Sequence, residues 1–302
     1  MPRPPEPILV LLLFLIVDFY LCSSVFICGS IASSMRNIKI TIAYDGTEFS
    51  GWQAQPGQST VQGALVDVLE KLTQTRLTVY GAGRTDAGVH AAGQVANFKT
   101  QSSLSAEEFQ RAFNALLPPA IRVNAAEEVG PDFHSRWDAM AKTYRYRIFR
   151  GRVVPPFLWR YVHQDTGPLN FDSMAEAARH FVGEHDFSSF AASTGSEEDD
   201  RDRTTIRTIY NSELLPMPNN HSHPAAEEWT YIVRGRSFMR HMVRKMVGTL
   251  VEVGRGRLAP SAVPELIELR DRSKSGATMP PNGLCLETIE YPDPANSLAG
   301  KQ

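Results

Sequence analysis

Leu77-Thr78-Val79-Tyr80-Gly81-Ala82-Gly83-Arg84-Thr85-Asp86-Ala87-Gly88-Val89-His90 is the stretch on which the fold turns. A short β-like run, Leu77 to Tyr80, leads into it, and a second, Gln94-Val95-Ala96-Asn97-Phe98, leads out. The glycines and small residues between them therefore predict a connecting loop. That loop carries an arginine, an acid and a histidine. Loops on rigid strands are where reactive groups collect, because the scaffold fixes them while substrate can still reach them. An aspartate among glycines is also an ordinary turn former, so on these residues alone both readings stand.

Working outward, Ile38, Ile40, Ile42 and Tyr44 alternate with polar or small residues and predict a half-buried strand. Ser59 and Gln62 have capping-box spacing ahead of a helix that places Val61, Leu65, Val68, Leu69 and Leu72 on one face. Ser105 and Glu108 form a second such box. The helix behind them is expected to bury Phe109, Phe113 and Leu116 and to stop at Pro118-Pro119, before a strand from Ile121 to Val129. The order is β-α-β-β-α-β, and it recurs. Lys142 to Phe149 reads as a strand, Phe171 to Val182 as a helix, and Ile206 to Leu215 and Trp229 to Gly235 as strands. Phe238 to Val253 and Ser261 to Leu269 read as helices, and Leu284 to Glu290 as the last strand. The predicted class is α+β. Two RRM- or ferredoxin-like halves, residues 35–139 and 140–292, would present antiparallel sheets to a central cleft, with a tail at 293–302. Such a groove suits a long polyanion.

Composition fits a globular chain: 302 residues, 42% hydrophobic and 21% charged. The formal net charge of -2 supplies no global attraction to nucleic acid, so an RNA partner would need positive charge gathered on one surface. Three cysteines, of which Cys22 and Cys28 lie in the apolar N-terminal stretch and only Cys285 in the globular part, exclude an intrachain disulfide there and a cysteine-rich zinc site. The eight histidines show no His-Glu-x-x-His spacing, and His221 and His223 sit in a Pro/Asn-rich loop, so no metal is expected. The runs 193–203 and 211–228 read as solvated loops.

Residues 1–34 stand apart. Ile8 to Val17 is continuously apolar, Asp18 interrupts, and an apolar, Ser/Cys-containing run continues to Ala32. Read literally this is a signal-like segment or membrane anchor. Asp18 in mid-span, the lack of a clean small-x-small site, and Met35 directly before the first strand favour a start upstream of the true one. The globular chain is then expected from Met35.

Two further elements carry candidate chemistry. Along Phe238 to Val253, Met242, Val243, Met246, Val247, Leu250 and Val251 share one face, while Arg240, His241, Arg244 and Lys245 gather on the other. A basic face is either solvated or a phosphate contact. On the strand Lys142-Thr143-Tyr144-Arg145-Tyr146, Tyr144, Tyr146 and Ile148 point one way. An aromatic stripe of this kind is ordinarily core.

Gly83-Arg84-Thr85-Asp86-Ala87-Gly88-Val89-His90 resembles the active-site motif of the bacterial tRNA pseudouridine synthase A family. His241-Met242-Val243-Arg244, Lys142-Thr143-Tyr144-Arg145-Tyr146 and Asn282-Gly283-Leu284-Cys285-Leu286 look like further family elements. So do Tyr44-Asp45-Gly46, Phe49-x-Gly51-Trp52-Gln53, Asp132-Phe133-His134-x-Arg136 and Asp186-Phe187-Ser188-Ser189-Phe190, in the family's order, over about Met35 to Tyr291. The resemblance implies a pseudouridine synthase fold and a cytoplasmic homodimeric enzyme that isomerises uridine at tRNA positions 38 to 40. It implies Asp86 as nucleophile, Arg244 as its partner, Tyr144 against the target base, and Arg84 on a phosphate or in the space left by a flipped nucleotide. Leu284 would form the apolar wall of the pocket, with Arg240, Lys245 and His90 as further substrate-side residues, His90 orienting the loop. The reaction needs no redox or energy input, so no cofactor is implied, and attack at C6 of the base or C1' of the ribose is left open.

Other classes make different demands. A non-catalytic RNA-binding protein of two RRM-like halves has no need of Asp86, Arg84 and Arg244 together. A membrane-anchored protein would account for residues 8–32. A hydrolase using Asp86 and His90 lacks a second carboxylate or nucleophile at a recognisable spacing.

Overall fold

Ile38, Ile40, Ile42 and Tyr44 become the buried side of β1 (Arg36–Tyr44). In the computed structural model, residues 34–192, 204–218 and 227–293 are described, and from Met35 onward they form one compact unit. The apolar segment 8–32 with Cys22 and Cys28, the run 193–203, His221, His223 and all but the first residue of the 293–302 tail lie outside the described residues.

The first half follows its predicted order. After β1 come α1 (Val61–Thr73), β2 (Val79–Gly81), β3 (His90–Thr100), α2 (Ala106–Leu116) and β4 (Ile121–Val129). α1 is not capped as its sequence suggests. Thr60, not Ser59, is the N-cap, and its hydroxyl accepts from Gly63 N at 3.2 Å. Starting one residue later makes Gln62 the second helical residue, out of reach of a capping box. Its carboxamide instead ties the Gln53 side chain and Ala54 N at 2.7 Å each to Val79 O at 2.8 Å. The Ser105–Glu108 box on α2 forms as read. Phe109 and Phe113 pack edge-on against Phe98, all three fully buried, and burial of each contributes about 1.5–3 kcal/mol. Leu116 remains 50% exposed, because the chain leaves the helix at Leu117 and turns that side chain inward instead.

The second half is more elaborate. It comprises β5 (Ala141–Arg150), β6 (His163–Asp165), α3 (Phe171–Arg179), β7 (Gly183–Asp186), β8 (Ile206–Pro216), β9 (Glu227–Gly235), α4 (Met242–Gly254), α5 (Ala262–Leu269) and β10 (Leu284–Glu290). β6 and β7 are short strands that periodicity does not reveal. α3 ends at Arg179, and after His180, Phe181 and Val182 the chain opens β7 at Gly183, which pairs with β8. α4 begins at Met242 rather than Phe238, because His241 has φ of 62° and interrupts helical backbone.

Among the described residues the strands form one sheet, in the order β4-β1-β3-β10-β5-β9-β8-β7, with β2 on β3 and β6 on β5. The two sheets of the halves are thus joined edge to edge. β10 makes the join: it runs antiparallel to β5 and parallel to β3, with Cys285 opposite His90 and Leu286 opposite Ala91. The last strand of the chain therefore lies beside the strand that leaves the Asp86 loop. Cys285 sits half-buried in this seam, where burial and then the Glu287 carboxylate push its thiol up to about 12. Among the described residues no helix is long and apolar enough to cross a membrane.

Candidate active site

The loop between β2 and β3 is anchored residue by residue. Ala82 N donates to Val95 O at 2.8 Å and Ala82 O accepts from Lys142 Nζ at 2.7 Å. Gly83 O accepts from Gln94 Nε2 at 2.8 Å. Thr85 O accepts from Trp52 N at 3.1 Å, and the Thr85 hydroxyl meets Tyr44 Oη at 2.8 Å. Gly88 N donates to Phe49 O at 3.2 Å and Val89 N to Asp86 O at 3.1 Å. Gly51 is what lets the Phe49–Gln53 segment lie this close. Its φ is +94°, and a Cβ there would stand 2.7 Å from Thr85 O, so any other residue would force strain or a displaced loop.

Asp86 leaves this framework with its side chain 20% exposed. Arg244 Nη1 donates to its Oδ2 at 2.9 Å, and Arg244 Nε donates to Met279 O at 2.6 Å. The guanidinium is thus aimed by two bonds in a fixed fork. Met279 is brought within reach because Gly248 has no side chain: a Cβ at 248 would lie 1.9 Å from Ala277 O. Gly276 N bonds Thr249 Oγ1 at 2.9 Å, and Met279 N bonds Arg244 O at 3.3 Å, so the 276–279 segment is laid along α4. His241 Nε2 stands 3.6 Å from the same Asp86 oxygen.

Tyr144, on the β5 face that also buries Tyr146 and Ile148, is 7% exposed and meets Phe238 edge-on with centroids 5.1 Å apart. Burial, then the Tyr44 and Asp86 charges, raise its phenol, so the hydroxyl stays protonated. Leu284 is paired with Tyr146 across β10 and β5 and is 6% exposed. Asp86, Arg244 and Tyr144 are therefore brought to one place, with the Leu284 strand beside them. Arg84 lies exposed on the same loop and its Nε donates to Gln53 Oε1 at 3.2 Å.

The other predicted residues are placed differently. His90 is buried: Gly46 N donates to its Nδ1 at 3.1 Å and its Nε2 pairs with Arg160 O at 2.9 Å. Burial lowers its pKa despite Asp45 Oδ1 at 3.2 Å from Nδ1. An accepting Nδ1 and a donating Nε2–H are consistent with that neutral ring, which ties the Asp45–Gly46 turn to the 160 segment. Lys245 turns from Asp86: its Nζ donates to Arg272 O and Ser275 Oγ at 3.1 Å each, and to Ser189 O at 3.4 Å. Burial lowers its pKa. Arg240 is exposed, and its carbonyl accepts from Ala192 N at 3.3 Å.

Several residues that matter here carry no obvious signal. Lys142, Gln94, Tyr44 and Thr85 hold the loop, yet each looks like an ordinary strand or loop residue. The short matched motifs are the clue, because they cluster on the site's supports. Phe49, Gly51 and Trp52 contact the loop backbone. Ser135 donates from Oγ to Tyr80 O at 2.6 Å behind β2, and Ser189 O accepts from Ser275 Oγ at 2.6 Å and from Lys245 behind α4.

A family model described as tRNA pseudouridine synthase matches residues 40–138 and 177–292. Three proteins named tRNA pseudouridine synthase A are similar along most of the chain. The one from Solibacter usitatus is 46% identical over 258 residues, covering 85% of this chain and 100% of that protein. That from Maridesulfovibrio salexigens is 42% identical over 258 residues, covering 85% and 91%. That from Caldicellulosiruptor saccharolyticus is 41% identical over 257 residues, covering 85% and 100%.

Proposed function

The chain belongs to the tRNA pseudouridine synthase family, isomerases that convert uridine to pseudouridine in tRNA, and we propose that it acts in the anticodon stem-loop, at positions 38 to 40, with Asp86 as nucleophile. The observation that carries the assignment of the site is the Asp86–Arg244 pair on an over-anchored loop.

The reaction breaks the bond from C1' to N1, turns the uracil and rejoins it through C5. Atoms and electrons are conserved: N1 gains a proton and C5 loses one. What the protein must supply is a placed carboxylate, a surface for the base and a means of withdrawing the nucleotide from its stack. Arg244 and His241 both meet Asp86 at Oδ2, so Oδ1 is the oxygen available to an electrophile. That electrophile is C6 of the base or C1' of the ribose, and in either case Arg244 keeps the carboxylate aimed. Tyr144 stacks its ring against the uracil, and Leu284 forms an apolar wall. Arg84, at the exposed rim of the loop, takes a phosphate or the place of the withdrawn nucleotide. Arg240, exposed on the same segment as Arg244, contacts the backbone of the RNA. The enzyme works without a cofactor, as a cytoplasmic homodimer.

The test is release of tritium from C5-labelled uridine in an unmodified tRNA transcript, with Asp86→Asn alongside. Release by the wild type and loss in the variant, with tRNA binding kept, is the expected result. A folded wild-type protein that binds tRNA and releases nothing would turn the assignment toward a non-catalytic RNA-binding protein.

A further inference from the structure

Among the described residues, three that are not glycine have φ above zero: Gln74, His241 and Arg270. Gln74 and Arg270 are the C-caps of α1 and α5, a place where helices commonly end in left-handed backbone. His241 is different. It stands at the N-cap of α4, where the usual residue is extended and its side chain accepts from a free helix amide. His241 is left-handed, and its side chain makes no capping bond. A strained conformation that forgoes its local benefit points to a use elsewhere.

The imidazole is held beside Asp86. Nε2 lies 3.6 Å from Oδ2, beyond hydrogen-bond length, whereas Arg244 reaches the same atom at 2.9 Å. Arg244 therefore orients the carboxylate and His241 does not. The His241 side chain keeps 28% of its surface exposed. Asp86 from the loop, and Arg240, Arg244 and Lys245 from its own segment, are the charged groups that bear on it. Burial is the first cause that lowers its pKa, Asp86 opposes, and the three cations add to the lowering. The ring is therefore neutral at neutral pH and able to accept a proton.

This matters for a step that Asp86 and Arg244 leave without an acceptor. Once C5 is joined to C1', it is tetrahedral and still carries its hydrogen. To finish, the C5–H bond breaks and its electron pair restores the C5–C6 double bond, C6 releasing either its bond to Asp86 (attack at C6) or its second bond to N1, which takes that pair (attack at C1'), while the proton from C5 passes to a base. Asp86 is committed to the nucleophilic role, and Arg244 has no acceptor atom. The position of C5 does not depend on the route: it is bonded to C6, and after rejoining to C1', so either way it lies one bond from the atom that Asp86 attacks. Resting on the uridine-isomerase reading above, we propose that Nε2 of His241 is the base that takes the C5 proton, directly or through one water.

Two variants test this. His241→Asn tolerates left-handed backbone and removes the base, and His241→Gly relieves the strain and leaves a cavity that free imidazole can enter. Turnover is measured on tRNA transcripts carrying protium or deuterium at C5 of uridine. Both variants are expected to lose about 10²-fold in kcat, with KM for tRNA unchanged and a primary isotope effect larger than the wild type's. Added imidazole should restore His241→Gly. Unchanged kcat, or a loss with no larger isotope effect and no rescue by imidazole, would overturn the proposal. Failure of the underlying reading looks different: the wild type itself would give no pseudouridine, or Asp86→Asn would retain it.

Discussion

The two sides of the Asp86–Arg244 pair are built in opposite ways. The carboxylate side, from the first half of the chain, is fixed through its backbone: nearly every residue of the 82–89 loop has a main-chain anchor, and Gly51 is spent to bring one of them close. The cation side, from the second half, is fixed through side chains at the start of a helix entered by a strained residue. The proposed nucleophile is thus held through the main chain of its loop, and Arg244 through two hydrogen bonds of its own side chain.

If this contrast is right, removing the carboxylate should have the largest effect. Asp86→Asn is expected to lower kcat by about 10⁴-fold or more, the scale seen when a nucleophile is deleted, with tRNA affinity nearly unchanged in a filter-binding assay. Arg244→Met comes next, at about 10²–10³-fold in kcat, the scale for losing one charge-stabilising contact. Arg244→Lys should recover only part of that, since one ammonium cannot reach both Asp86 and Met279 O from a rigid fork. Equal losses at Asp86 and Arg244 would remove the distinction between the proposed nucleophile and the partner that aims it.

The anchors of the Asp86 loop can be loosened one at a time. Gly51→Ala places a methyl against Thr85 O at a φ that alanine resists, and about 1–3 kcal/mol of stability should go with it, accompanied by a fall in kcat as the loop shifts. Thr60→Ala, which uncaps α1 away from the Asp86–Arg244 pair, should cost about 1 kcal/mol in denaturant titrations and leave kcat alone. Ser59→Ala should cost less than Thr60→Ala. The smallest effect concerns pH. His90 is held neutral by burial, with its pKa below the ordinary 6.5. The unfolded chain then binds the proton more readily, so the stability His90 contributes is present above about pH 6.5 and is lost as pH falls toward its folded value. Denaturation midpoints compared for wild type and His90→Gln should show a shallower acid limb in the variant.

Much of this was legible in residues 35–292. Period-two alternation marked β1 and β5, helical periodicity and Ser105–Glu108 marked α2, and the order β-α-β-β-α-β from β1 to β4 was read in full. Leu116 and Leu117 show where such reading stops: helical spacing placed Leu116 inside, but the helix ended and its neighbour turned in. Gln62 was legible as a capping residue only because spacing ignores where a helix starts. The short pairings β6 and β7 lie below the length at which periodicity speaks.

What the sequence determined by itself is local and repeated: the strands and helices, the loop with its Asp86, and a basic turn of helix bearing Arg244. These depend on neighbours along the chain, which the sequence displays. The tertiary structure alone decided that β10 closes one sheet between β3 and β5, and that the close approach permitted by Gly248 brings Met279 O to Arg244. It also decided that Lys245 faces away while His241 faces Asp86. Those are contacts between distant segments, Arg244 lying 158 positions from Asp86 and Cys285 pairing opposite His90, and they depend on packing, which no local pattern records.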